Sequence, residues 1–270
     1  MMVPVPRTFH SKMEVVRFPD GSEIELEFDS RSHLYRVHGE IVPSATKVLG
    51  IIGKPALVPW SLKMAGEYIA RQLFRDDDLS NKKFTIFKSG STLETLVKGM
   101  KGAHRSYSSQ AMQVGTEVHA WIEEYIHDVR QNGKSSMVLP ESDQVATACS
   151  AFIDWLSDHD VQFHDSERKV FSRKHMYTGT LDCFAAIDGK KTVMDFKTSK
   201  SVYPEYHLQN GAYAGAMEEM GEEVEQTAVL RLDKRYGTYE AEYHNKREWK
   251  KDFKAFKGAL DVYKRIKEIS

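Results

Sequence analysis

Between residues 12 and 42, apolar and polar positions alternate in the short runs KMEVVRF, SEIELEF, LYRV and EIV, separated by Pro19-Asp20-Gly21 and His38-Gly39. A two-residue period broken by such turn residues predicts small antiparallel hairpins. Pro43-Ser44 then offers an N-cap to ATKVLGII, the prolines at 55 and 59 interrupt the chain, and from Trp60 to Phe74 the apolar spacing becomes helical. The same spacing predicts helices at about 107 to 130 and 142 to 158, with GKSSMVLPE as the loop between them. Beyond residue 165 the pattern changes again. ERKVFS, TGTLDCFAAI and KKTVMDFKT read as strands, Pro204 to about Met220 as a helix, TAVLRL and TYEAEY as strands, and about Lys246 to Ile269 as a last helix. On that helix Trp249, Phe253, Phe256, Leu260, Tyr263 and Ile266 fall at spacings of three or four and are expected in the core, with its lysines on a solvated face. The order predicts an α/β fold whose central mixed sheet is flanked by helices. It divides the chain into an accessory region of hairpins then helices, residues 1–110, and a core, residues 111–270.

Two aspartates and a lysine interrupt the most apolar hairpin. If Asp188-Gly189 forms a two-residue turn, Ile187 pairs with Lys190, and counting back sets Asp182 opposite Asp195. Strand alternation then puts Asp182, Asp195 and Lys197 on one face, with Leu181, Cys183, Met194 and Phe196 on the other. Facing carboxylates repel, and a cation is a natural reason to keep them together; oxygen ligands suit Mg²⁺ or Mn²⁺. The alternative is an edge hairpin with a polar outer face. Three further features bear on the choice. Glu167, on the preceding strand, is a candidate third carboxylate. His119, in GTEVHAWIEEYI, is either a ligand or a hydrogen-bonded core histidine beside Val118, Ile122, Tyr125 and Ile126. Gln209 and Tyr213, four apart in LQNGAYAGAM, leave one helix face.

Composition narrows the function classes. The chain has 270 residues, 41% hydrophobic, with 38 basic against 39 acidic side chains. That length can bury a sizeable core, and the balance means any nucleic-acid affinity must come from a local surface. Two cysteines without paired spacing, Cys149 and Cys183, argue against a disulfide framework or an iron–sulfur cluster and suit a reducing cytoplasm. No apolar run reaches membrane-spanning length, so no membrane partner is expected. The densest basic stretch before the last helix is residues 81–105, with Lys82, Lys83, Lys88, Lys98, Lys101 and Arg105 against Glu94. Phe84 and Phe87 lie among them. This composition suits a DNA-guiding wall, or else a solvated surface.

Taken in order, G-T-x-x-H at 115 to 119, Glu167, G-T-x-D at 179 to 182, D-x-K at 195 to 197 and Q-x-x-x-Y at 209 to 213 resemble the PD-(D/E)XK nuclease superfamily, in its RecB-like exonuclease branch. The upstream VPSATKVLGIIGKPALVPWSLKMAGEYI is similar to phage-encoded nucleases of that branch. The resemblance implies a restriction-endonuclease-like core and a metal shell of His119, Asp182, Asp195 and the carbonyl of Phe196. It further implies that Lys197 aids the attacking water and that Gln209 and Tyr213 support DNA binding and site geometry. Leu181 stands where the named motif has proline, a common variation in the branch, and the iron–sulfur cysteines of a subgroup are absent. The expectation is a Mg²⁺- or Mn²⁺-dependent deoxyribonuclease, an exonuclease taking DNA with a free end, in a bacterial or phage-infected cytoplasm. A recombination or single-strand-binding protein is a candidate partner. The rivals are a noncatalytic DNA-binding or recombination-accessory protein and a restriction-type endonuclease.

Overall fold

The structure, a computed structural model, describes residues 11–53, 57–72 and 93–269. It is mixed α/β. Alternating residues build a four-stranded antiparallel sheet in sequential order, β1 (Ser11–Arg17), β2 (Glu23–Asp29), β3 (Leu34–Val37) and β4 (Glu40–Val42). Its inner positions, Val16, Leu26, Tyr35, Val37 and Val42, are buried together with Phe171. Ser44 caps α1 (Ala45–Leu49), its hydroxyl accepting the Lys47 N–H at 3.2 Å. Next come α2 (Leu57–Gln72), α3 (Leu93–Asn132) and α4 (Asp143–Asp158). The second sheet has five strands in the order β5 (Val161–Ser172), β6 (Tyr177–Ile187), β7 (Lys190–Lys197), β8 (Gln226–Leu232) and β9 (Tyr239–Asn245). Only β7 and β8 run parallel in it, joined through α5 (Pro204–Glu219), and α6 (Lys246–Ile269) closes the described chain. No helix among the described residues is long and apolar enough to cross a membrane.

The chain forms two compact units, Met1–Ile52 with Glu117–Ser270, and Gly53–Thr116. The second holds α2 and the first part of α3, with Met64 and Ala103 buried. In the first, the main core lies where α1, α5 and α6 meet the five-stranded sheet, and includes Tyr177, Leu181, Phe184, Val193, Trp249 and Phe256. The four-stranded sheet is tied to β6 by a 2.9 Å hydrogen bond between the Tyr35 and Thr180 hydroxyls. Thr178 N–H also donates to the carbonyl of Pro43 at 3.0 Å.

Four expectations need correction. The third helix starts at Leu93, not near 107, because Leu96, Val97, Met100 and Ala103 keep helical spacing through Gly99 and Gly102. Strand β5 starts at Val161, six residues before ERKVFS, with a bulge between Phe163 and Asp165 that hides its alternation. Ile266 is 44% exposed, one turn beyond the reach of the core that buries Trp249, Phe256 and Leu260. Leu181 packs with Phe184 and Val193 in the α5/α6 cluster, whereas Phe196 meets Phe152 of α4 edge-on. The simple alternation fails there because the β6/β7 ladder ends at the pair Cys183 and Met194.

Candidate metal centre

The Asp188-Gly189 turn has φ of 49° and 79°, the two positive values that a tight hairpin turn requires, and Ile187 pairs with Lys190. That register runs to Cys183 and Met194, one step short of Asp182 and Asp195. From there β6 and β7 part, while β7 stays paired with β8 as far as Lys197 beside Arg231. The last residues of β7 therefore have one open backbone edge, and side chains serve it. The Phe196 N–H donates to Asp182 Oδ2 at 2.8 Å, and its carbonyl accepts from His119 Nε2 at 2.9 Å.

The same opening gathers the acids. In the β5/β6 ladder Ser166 pairs with Cys183 and Arg168 with Leu181, which leaves Glu167 across from Asp182. Glu167 has φ of 49°, a left-handed backbone that a non-glycine residue adopts at a cost and that clusters at functional sites. One ligand atom each from His119, Glu167 and Asp182 lie within 4.8 Å of one another. Burial, with Asp182 and Glu123 nearby, lifts the Glu167 carboxyl from its ordinary 4.5 to about 7. Asp195 is fully buried. Its Oδ1 accepts from Lys197 Nζ at 2.6 Å and from Gln209 Nε2 at 3.0 Å, while Oδ2 lies 2.5 Å from the ammonium without hydrogen-bond geometry. Burial raises the Asp195 carboxyl against the pull of Lys197, with Asp182 adding to the rise. For Lys197 burial works downward, but Asp195 and Asp182 outweigh it and keep the ammonium charged.

These groups fit a divalent cation. His119 gives Nε2–H to the Phe196 carbonyl, and its Nδ1 lies 3.6 Å from Asp182 Oδ2, too long for a hydrogen bond. An octahedral cation with ligands at ~2.1 Å sets neighbouring donor atoms about 3 Å apart, so small movements would close the shell. Asp195 stands outside that group of three, its Oδ2 buried without a hydrogen bond beside the Lys197 ammonium.

Helix α5 fixes the other side. Gln209 Nε2 also donates to the Tyr213 hydroxyl at 3.2 Å. The Tyr213 ring is only 3% exposed and lies over Gly179, where an added Cβ would fall 2.3 Å from Tyr213 Cε1. The glycine in G-T-x-D thus admits the tyrosine of Q-x-x-x-Y. Two residues near the site were not singled out from the sequence. Tyr206 holds its ring 5.0 Å from Lys197 Nζ, and it stands three positions before Gln209, a spacing that could have revealed it. Tyr35 comes from a distant hairpin and left no such signal.

Lys98, Lys101 and Arg105 are exposed on α3, at spacings that share a helical face. Lys82, Lys83 and Lys88 lie outside the described residues, as do Phe84 and Phe87. Cys149 and Cys183 are both buried, and burial pushes the Cys149 thiol up to about 12.

No protein-family model and no curated protein matches the chain. Among solved structures, the crystal structure of LHK-Exo in complex with dAMP aligns with a TM-score of 0.30 and 11% sequence identity, over 54% of this chain and 86% of that one. The functional reading rests on this chain's own geometry.

Proposed function

We propose that the chain is a metal-dependent deoxyribonuclease of the PD-(D/E)XK kind, hydrolysing phosphodiester bonds with Mg²⁺ or Mn²⁺ and working from DNA ends. The observation that carries this reading is the convergence of His119, Glu167 and Asp182 at the parting of β6 and β7, next to the buried pair of Asp195 and Lys197. A purely structural hairpin has no use for carboxyls whose burial disfavours their charge. A divalent cation held there supplies positive charge to the phosphate and acidifies a water. Asp182, Asp195 and His119 would hold it, with Glu167 near enough to complete the shell, and the Phe196 carbonyl would join them once it no longer accepts from His119 Nε2. Lys197, kept protonated by its acidic neighbours, donates to the attacking water or to a phosphate oxygen and does not serve as the base. Gln209 and Tyr213 orient Asp195 from α5. Lys82, Lys83, Lys98, Lys101 and Arg105 attract the DNA backbone.

End-labelled linear DNA and closed circular DNA, each with Mg²⁺, Mn²⁺ or chelator, test the reading. Linear DNA is expected to shorten progressively and circles to persist, with no cleavage in chelator and none by Lys197→Ala. Absence of hydrolysis with either metal overturns the nuclease reading in favour of a DNA-binding protein. Discrete fragments would instead identify an endonuclease.

A further inference from the structure

Lys197 is the last residue of β7 and carries its ammonium on a flexible four-carbon stem, so what holds that group decides where it points. Asp195 is one hold, accepting from Nζ at 2.6 Å. The second comes from the first turn of α5. Pro204, with its preset φ, opens that helix, and the Tyr206 N–H donates to the Tyr203 carbonyl at 3.0 Å. Helical spacing then sets Tyr206, Gln209 and Tyr213 on one face. Gln209 reaches Asp195 Oδ1 and the Tyr213 hydroxyl, whereas the half-buried Tyr206 has Lys197 Nζ over its ring, 5.0 Å from the centroid. One helix face thus grips both members of the buried pair. The Tyr206 ring is itself supported by Tyr203, which meets it edge-on with centroids 5.6 Å apart and planes at 79°. A carboxylate and a ring hold an ammonium in different ways. The carboxylate takes a directed N–H bond, while the ring attracts the positive charge through its quadrupole and needs no acceptor along a fixed line. Two holds of these kinds restrict the stem without occupying all three N–H donors, and the side chain keeps 19% exposure.

We propose that Tyr206 is a positioning residue for the hydrolysis, its ring face steadying the Lys197 ammonium so that Lys197, anchored on Asp195, presents its remaining N–H groups to the attacking water or a phosphate oxygen. The proposal rests on the nuclease reading above and deepens it: Lys197 is the donor, and Tyr206 acts only through it. The ring is what matters, and the phenol oxygen takes no part in the hydrolysis. Phenylalanine at this position therefore serves almost as well, whereas leucine fills the space without the quadrupole and leaves the stem free to swing. Because it acts through Lys197 and not on DNA, the ring contributes to kcat and not to KM.

The test compares the full-length wild type with Tyr206→Phe and Tyr206→Leu, after thermal melts establish that each folds. The first measurement needs neither metal nor substrate. It follows the ε-methylene proton resonances of Lys197, identified as those missing from Lys197→Ala, because a lysine over a ring face is shifted upfield by the ring current. That shift is expected in the wild type and in Tyr206→Phe, and is lost in Tyr206→Leu. The second measurement is hydrolysis of linear DNA with Mg²⁺ or Mn²⁺. Tyr206→Leu should lose about two- to thirtyfold in kcat at unchanged KM, the range that a cation–π contact is worth, and Tyr206→Phe should recover most of it. An ordinary Lys197 shift in the wild type overturns the proposal, whether or not the variants fold. So does a shift or a kcat that survives in Tyr206→Leu, a Tyr206→Phe as slow as Tyr206→Leu, or a loss confined to KM, which would make Tyr206 a DNA contact. If the wild type shows the upfield shift but hydrolyses nothing with either metal, the nuclease reading falls while the hold of Tyr206 on Lys197 stands.

Discussion

Asp182 and Asp195 look equivalent in sequence, but their surroundings make them respond differently to substitution. Asp195 is enclosed with Lys197, whereas the Asp182 side chain keeps 13% exposure and its main protein contact is a backbone N–H. Removing Asp195 alone strands a buried ammonium, a change that typically costs about 3–5 kcal/mol. Urea unfolding should find Asp195→Ala strongly destabilised and Asp195→Ala/Lys197→Met markedly less so; equal losses would mean the pair is not a buried unit. Glu167 gives a pH signature. Its carboxyl titrates near 4.5 unfolded and about 7 folded, so the unfolded chain gives up the proton first. Without divalent metal its contribution to stability therefore falls as pH rises through about 4.5 to 7 and is level above that window. Melting curves should show Glu167→Gln gaining on the wild type between about pH 4.5 and about pH 7 and no further above that. A difference that is flat with pH would place the carboxyl in an ordinary solvated setting.

At the scale of elements, α5 crosses β6 so closely that one position must lack a side chain. A Cβ at Gly179 overlaps the Tyr213 ring, and that ring is held by the Gln209 hydrogen bond. Gly179→Ala should cost about 1–3 kcal/mol, the usual range for overpacking. Pairing it with Tyr213→Leu should recover part of that loss in denaturant melts. If Gly179→Ala is neutral, α5 has more freedom than the packing indicates. This contact also shows what the sequence could convey. The two motifs holding Gly179 and Tyr213 were visible, and the hairpin count held from Ile187 and Lys190 as far as Cys183 and Met194, because a two-residue turn leaves no freedom of register. The divergence of β6 and β7 was not visible, since no residue between 181 and 197 marks where pairing stops. Nor was the left-handed Glu167, because only glycine and asparagine advertise that conformation in a sequence. The long α3 was cut short for a related reason, its Gly99 and Gly102 resembling a break that the apolar spacing overrides.

On the scale of the whole molecule, the candidate ligands come from elements far apart in sequence, α3, β5, β6 and β7. A cation that joins them binds the folded chain and has no matching site in the unfolded one, so it stabilises by mass action. Excess Mn²⁺ should raise the melting temperature of the wild type and leave Asp182→Ala unchanged; an equal rise in both would mean the ion binds elsewhere. Phe196 sits at the centre of that assembly, with its amide on one ligand side chain and its carbonyl on another. Any ion that draws Asp182 or His119 inward must repolarise one of the two peptide groups that flank this residue. Its amide resonance is thus a built-in gauge of occupancy, readable during a metal titration with no substrate in the tube.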